Sequence, residues 1–116
     1  MRKISERRKL LSMKRFAFKM KLKEGCKEEY MRRHDAIWAE MNELLTSRGI
    51  RDYSIFLERE SNTPIAVQTL EADRSAIDLG DCPIVQNRWK YMSDIMETNP
   101  DFSPVTISLD QVFHID

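Results

Sequence analysis

Glycine is scarce in this chain. There are three among 116 residues, Gly25, Gly49 and Gly80, each isolated at a break in the pattern. No glycine-rich loop able to cradle a phosphate can be built from them. Cysteine is scarcer still. Cys26 and Cys82 stand 56 positions apart with no Cys-x-x-Cys, and the two histidines, His34 and His114, fall at no metal-ligand spacing from them. A zinc site is disfavoured, no metal is expected, and two reduced thiols in a cytoplasmic protein are the simplest reading. Long hydrophobic runs are missing too. None approaches the ~20 residues of a membrane helix, and the N-terminal segment lacks the roughly 7–15-residue apolar stretch of a secretory signal. Neither a membrane nor an export route is expected.

Net charge of one sign is also absent, with 19 basic residues against 19 acidic ones. The balance is uneven along the chain. Residues 1–12 (MRKISERRKLLS) carry five basic residues and one acidic, a net of +4, which leaves −4 for the remainder. The basic stretch reads as an N-terminal extension, and Met13 directly after it offers an alternative start. Residues 13–116 read as one domain, close to the typical ~100–150 residues. That domain is mildly acidic, so no broad nucleic-acid footprint is expected from it. At 41% hydrophobic and 33% charged residues, the chain is too apolar for disorder and too charged for a membrane.

Patterning supplies the elements. Residues 15–22 alternate, with Phe16, Phe18, Met20 and Leu22 on one face, as a half-buried strand does. Residues 26–48 read as one helix: Tyr30, His34, Ile37, Trp38, Met41, Leu44 and Leu45 recur at spacings of three and four, and Gly49 stops the run. Strands follow at 51–58 and 65–71, joined by the turn Ser61-Asn62-Thr63-Pro64 into a hairpin. A short helix over 73–79 begins at Asp73. A longer one is capped by Asp81, with Pro83 near its first position and a stripe of Ile84, Val85, Trp89, Met92 and Met96. Residues 99–104 form a loop, and 105–113 alternate as a last strand. The order β-α-β-β-α-β predicts an α+β sandwich of ferredoxin-like type, helices on one face of an antiparallel sheet. The bare face needs cover, and a homodimer packed sheet against sheet is the expectation.

No Ser/His/Asp or Cys/His nucleophile signature can be read. What remains is one histidine among hydrogen-bonding aromatics. Tyr30 and His34, four residues apart on a helix, are neighbours on its face, and Tyr53 opens the strand that looks toward that helix. An aromatic wall with a few hydroxyls and an imidazole suits a sugar, rings against C–H surfaces and polar tips against hydroxyls. An ordinary aromatic core accounts for the same pattern equally well.

The segments EEYMRRHDAIWAEM (28–41), DYSIFLER (52–59), RWKYMSDIM (88–96) and NPDFSPV (99–105) together resemble the L-rhamnose mutarotase family, from about Arg15 to Phe113. The resemblance implies a small dimeric α+β barrel that interconverts the α and β anomers of L-rhamnose without a cofactor. It implies that His34 is the proton donor, that Tyr30 and Tyr53 bind substrate, and that Arg88 and Trp89 fall on a substrate-binding Trp-Trp pair. The chain departs from that family twice. Ala39 stands where proline usually follows the helix tryptophan, a bland change if the position is helix interior. Arg88 replaces a tryptophan and is expected to turn to solvent, leaving the pocket its sugar. The competing expectation is a pocket retuned toward another 6-deoxyhexose or an acidic sugar. Dimeric α+β barrels also include haem-binding proteins, so a haem- or small-ligand-binding protein without mutarotase activity is the rival class.

Overall fold

The computed structural model describes residues 14–71 and 74–115. The basic segment 1–12 and the helix start expected at Asp73 lie outside the described residues.

Strand β1 (Lys14–Lys19) carries the alternation onward through Met20 to Leu22, which ends in a single bridge to Met96. The long helix expected over 26–48 is two helices, α1 (Lys27–Asp35) and α2 (Ala39–Ser47). Ala36 and Ile37 close α1 through bonds to the carbonyls of Arg32 and His34. Trp38 then adopts extended backbone (φ −62°, ψ 132°) and starts α2. Periodicity misses this break because Ile37 and Trp38 continue the spacing of three and four through it. The break moves two positions. His34 lies in the last turn of α1 rather than mid-helix, and Ala39 is the first residue of α2 rather than its interior. α1 suits its macrodipole, with Glu28 and Glu29 in its first turn and Arg32, Arg33 and His34 in its last.

Gly49, at φ +82°, ends α2 in the left-handed conformation that glycine adopts without Cβ strain. Strands β2 (Ile50–Glu58) and β3 (Thr63–Leu70) form the expected hairpin, with Thr63 and Pro64 already inside β3. A 3₁₀ turn (Ala76–Asp78) follows, closed by a reciprocal capping box between Ser75 and Asp78. Helix α3 (Pro83–Met92) starts one residue later than expected. Proline's fixed φ suits the first helical position, which makes Cys82 the cap, while Asp81 pairs with Arg74 at 2.8 Å. The last strand, β4 (Ile107–Leu109), is shorter than the 105–113 expected. It pairs with β1 at Ala17, Phe18 and Lys19 only. Alternation persists beyond Leu109, but no ladder partner for it exists among the described residues.

The sheet order is β2-β3-β1-β4, antiparallel throughout, which is the ferredoxin-like arrangement with its first crossover split into two helices. Helices cover one face. There Phe18, Met20, Ala66, Met92 and Ile95 form one buried cluster, and Leu45, Leu70, Leu79 and Val85 belong to a second. Phe16 and Tyr53 pack against both. The other face is bare and mostly apolar, with Lys19 at its centre. Ala17, Ile65, Phe56, Ile107 and Leu109 share it by register, and Phe56 is 62% exposed.

Phe18 is 1% exposed at the centre of the helix-covered face. Phe18→Ala removes a ring that nothing nearby can replace. It is expected to lower unfolding free energy by roughly 3–5 kcal/mol in a denaturant titration. An unchanged midpoint would contradict this account of the core.

Candidate active site

Between the helices and the sheet lies a cavity of about 510 Å³. Small-molecule sites run from roughly 300 to 1,000 Å³, so a monosaccharide fits easily. All five site residues singled out from the sequence, Tyr30, His34, Tyr53, Arg88 and Trp89, line it.

Tyr30 and His34 come from one helix face, four residues apart, with ring centroids 4.3 Å from each other. His34 Nδ1 lies 2.9 Å from the Tyr30 carbonyl oxygen. A carbonyl only accepts, so Nδ1 carries the proton and Nε2 keeps its lone pair. Among the described residues Nε2 has no hydrogen-bond partner. Burial holds the imidazole pKa below its ordinary 6.5; the bond to Tyr30 pulls it back up and the Arg88 charge pushes it down further. His34 is therefore neutral at pH 7, with a basic nitrogen available.

Tyr53 reaches the cavity through a bulge in β2. Arg51 pairs with Thr69 and Ser54 with Val67, so Asp52 and Tyr53 together oppose Gln68. Asp52 takes up the extra residue at φ +49°, a left-handed conformation that aspartate tolerates better than most residues. Burial raises the hydroxyl pKa of both tyrosines, and for Tyr53 the Gln68 side chain offsets part of the rise. Both hydroxyls stay protonated at any working pH. Both can therefore hydrogen-bond a ligand without carrying charge.

Trp89 packs against Gly80 so closely that a Cβ there would sit 2.8 Å from the indole ring. The glycine makes room for the tryptophan.

Arg88 does not turn to solvent; it is 5% exposed. Val85, Arg88 and Met92, at helical spacing, are the buried residues of α3. The guanidinium lies 5.1 Å from the Trp38 ring centroid and 5.4 Å from that of Tyr91. Its Nη2 donates to the Arg33 carbonyl at 2.9 Å, while Nη1 is buried without a partner. Arg33 is placed in the reverse sense. It donates to the Tyr91 carbonyl at 2.7 Å and pairs with Glu29 at 2.9 Å and Asp94 at 2.8 Å.

Sequence reasoning missed this clasp and three further residues. Trp38 and Tyr91, 5.3 Å apart, were assigned to a stripe or left aside. Phe102 stands in the cavity wall at φ +68°, rare for a bulky residue, in the 99–104 loop. The loop is held by the Asn99 amide on the Ser103 carbonyl at 2.8 Å and the Phe102 amide on the Asn99 carbonyl at 2.9 Å. The spacing of Val85, Arg88 and Met92 was the available signal for a buried arginine; it is missed when a charged residue is excluded from the apolar stripe.

A ferredoxin-like sheet under three helices, enclosing a cavity lined by a neutral histidine, two tyrosines and a tryptophan, defines the class: a small α+β protein with a site for a small polar molecule. The chain belongs to the L-rhamnose mutarotase family, whose model matches residues 15–115. It is similar to the L-rhamnose mutarotase of Bacteroides thetaiotaomicron, at 53% identity over 90% of this chain and 100% of that protein. The Phocaeicola vulgatus L-rhamnose mutarotase is 52% identical with the same coverage. Among solved structures, the Formosa agariphila L-rhamnose mutarotase superposes with a TM-score of 0.82 at 45% identity, covering 89% of this chain and 99% of that one. A Mycobacterium tuberculosis protein at 12% identity, TM-score 0.52, shares the fold alone. The comparisons lend no support to the haem-binding alternative. No helix among the described residues is long and apolar enough to cross a membrane.

By NMR, the His34 imidazole is expected to show the Nδ1–H tautomer at neutral pH and to titrate below 6.5. Arg88→Gln, which removes a nearby positive charge, is expected to raise that value. A titration above 6.5, or a fall in the variant, would contradict the electrostatics described here.

Proposed function

We propose that this chain interconverts the α and β anomers of L-rhamnose or a related 6-deoxyhexose by acid/base ring opening at His34, as a homodimer in the cytoplasm. The observation that carries the chemistry is the Nδ1–H bond of His34 to the Tyr30 carbonyl, which leaves Nε2 as a base in the cavity. The family supplies the sugar: the relatives at 45–53% identity are L-rhamnose mutarotases.

Anomer exchange opens the pyranose ring. Nε2 takes the proton of the anomeric hydroxyl, whose oxygen becomes the aldehyde oxygen as the bond between C1 and the ring oxygen breaks. The imidazolium returns that proton to the departing ring oxygen. Both oxygens are attached to the same carbon, so one imidazole serves both, and no net proton is gained or lost. The open aldehyde rotates about one bond and closes on its other face by the reverse steps. Proton transfers alone balance the reaction, so it needs neither metal nor cofactor. Tyr30 and Tyr53 hold the sugar hydroxyls in register with Nε2, and Trp89 stacks on the ring.

The bare sheet face supports the homodimer. Phe56, Ile107 and Leu109 are exposed on this face, with Lys19 between Ile65 and Ile107 by register, and a second copy would cover it in the same way on both sides. Free thiols at Cys26 and Cys82 support a reducing compartment.

His34→Ala is expected to slow anomer exchange, followed by saturation-transfer NMR on L-rhamnose, by roughly 10²–10⁴-fold with the fold intact. Because the base is the neutral imidazole, the wild-type rate should be flat through neutral pH and fall as His34 is protonated below 6.5. Full activity in the variant, or a rate that rises on the acid side after subtraction of the uncatalysed reaction, would sink the assignment. For the dimer, light scattering should give twice the chain mass, and Phe56→Glu should halve it; a monomeric wild type would overturn the homodimer.

A further inference from the structure

Arg88 combines features that a structural arginine does not need. It lines the cavity with His34, Tyr30 and Tyr53, is 5% exposed, and leaves Nη1 buried without a partner. Among the described residues no carboxylate pairs with it. Glu29 and Asp94 are held by Arg33, which adds a second positive charge beside it, and Asp35, which lines the same cavity, is exposed. The aromatic faces of Trp38 and Tyr91 and one carbonyl are its compensation. A buried cation in that state is a strong attractor for an anion of the right shape, because a carboxylate forms charge-assisted bonds with a guanidinium and removes an uncompensated charge.

We propose that this cavity takes pyranoses bearing a carboxylate, hexuronates, in preference to the 6-deoxyhexoses of the same configuration, with Arg88 as the counter-ion. The inference rests on the mutarotase assignment and deepens it. A hexuronate has the same ring and the same anomeric centre as a 6-deoxyhexose. It differs at C5, where a carboxylate replaces the methyl group. The ring-opening chemistry at His34 is unchanged; only the pole of the sugar away from C1 meets a different partner. The neutral tyrosines and Trp89 serve either sugar, and Lys27 and Asp35, which also line the cavity, are exposed and opposite in charge, so the choice falls on the one buried charge among the described residues of the wall.

The test is a matched panel: L-mannuronate against L-rhamnose, and L-galacturonate against L-fucose, each pair of one configuration. Anomer exchange is measured by saturation-transfer NMR and binding by titration calorimetry, on the full chain. Wild type is expected to favour the acid of at least one pair by about tenfold or more in kcat/KM, the size of one charge-assisted bond. Arg88→Gln and Arg88→Trp are expected to abolish that preference, and Arg88→Lys to retain part of it.

Exchange of rhamnose with no acid bound or turned over overturns the proposal and leaves the mutarotase assignment standing. No exchange of any sugar overturns both. If Arg88→Gln lowers the melting temperature but leaves the acid-to-neutral ratio unchanged, Arg88 is a packing residue and the proposal fails. The wild-type ratio decides the matter even where a variant does not fold.

Discussion

Two arginines that each donate to a backbone carbonyl on the other's helix hold this site together. Arg88 on α3 bonds the carbonyl of Arg33, one of the last-turn carbonyls that α1 cannot satisfy internally. Arg33 bonds the Tyr91 carbonyl at the end of α3 and the Asp94 carboxylate just beyond it. The end of α1 is thereby fixed against α3. His34, one residue on from Arg33, inherits its position from that clasp, and Trp38 leaves the helix break to stack against Tyr91 and cover Arg88. The split of the first crossover into two helices is part of the same arrangement: an unbroken helix would carry Trp38 away along its axis.

The clasp is unequal, and the inequality matters. Arg33 has carboxylates at both ends of its guanidinium; Arg88 has none among the described residues. Burying a cation costs several kcal/mol even after relaxation. A bond from a charged donor returns about 1.5–3 kcal/mol, and each aromatic face about 0.5–2. These terms are of similar size, so Arg88 is tolerated rather than strongly stabilising. A tryptophan at this position, as the sequence resemblance implies for the family, would bury apolar surface without the charge. The arginine is a worse core residue than the one it replaces, which directs attention to what lies in the cavity beside it.

The fold was legible because it rests on period. Phe16, Phe18 and Met20 alternate, as do Tyr53, Ile55 and Leu57, and the hairpin turn lies between short strands; these fix the sheet and its order. Three features were not legible, each for a physical reason. The break at Ala36–Trp38 keeps the helical phase and carries neither glycine nor proline; Ala39, standing where the resembled family has proline, removes the residue that would have marked a helix start. The end of β4 depends on a neighbour, which alternation cannot report. Charge alone places the Arg88 side chain in solvent, yet Val85 three residues before it and Met92 four after it are both buried, which makes its position a core one. Of the site, Tyr30, His34, Tyr53 and Trp89 were found by residue type and by likeness to a family; the Trp38–Arg88–Tyr91 stack was not, since it brings together residues from either side of a helix break.

The electrostatics of the wall connect recognition to chemistry. Arg88 helps hold His34 neutral, which in the proposed mechanism leaves the base free before a sugar arrives. The same positive charge opposes the next event, since the imidazolium formed when Nε2 takes the anomeric proton sits in its field. A ligand carboxylate against Arg88 would cancel that field at the moment the imidazole becomes charged, so an acidic sugar would bring part of the stabilisation its own ring opening requires. A neutral sugar leaves the imidazolium in the Arg88 field, offset in part by the Asp35 carboxylate. On the proposed mechanism, an unbalanced arginine near a half-buried histidine would therefore favour an anionic substrate twice, once in binding and again in proton transfer, and the second preference would belong to kcat rather than to KM.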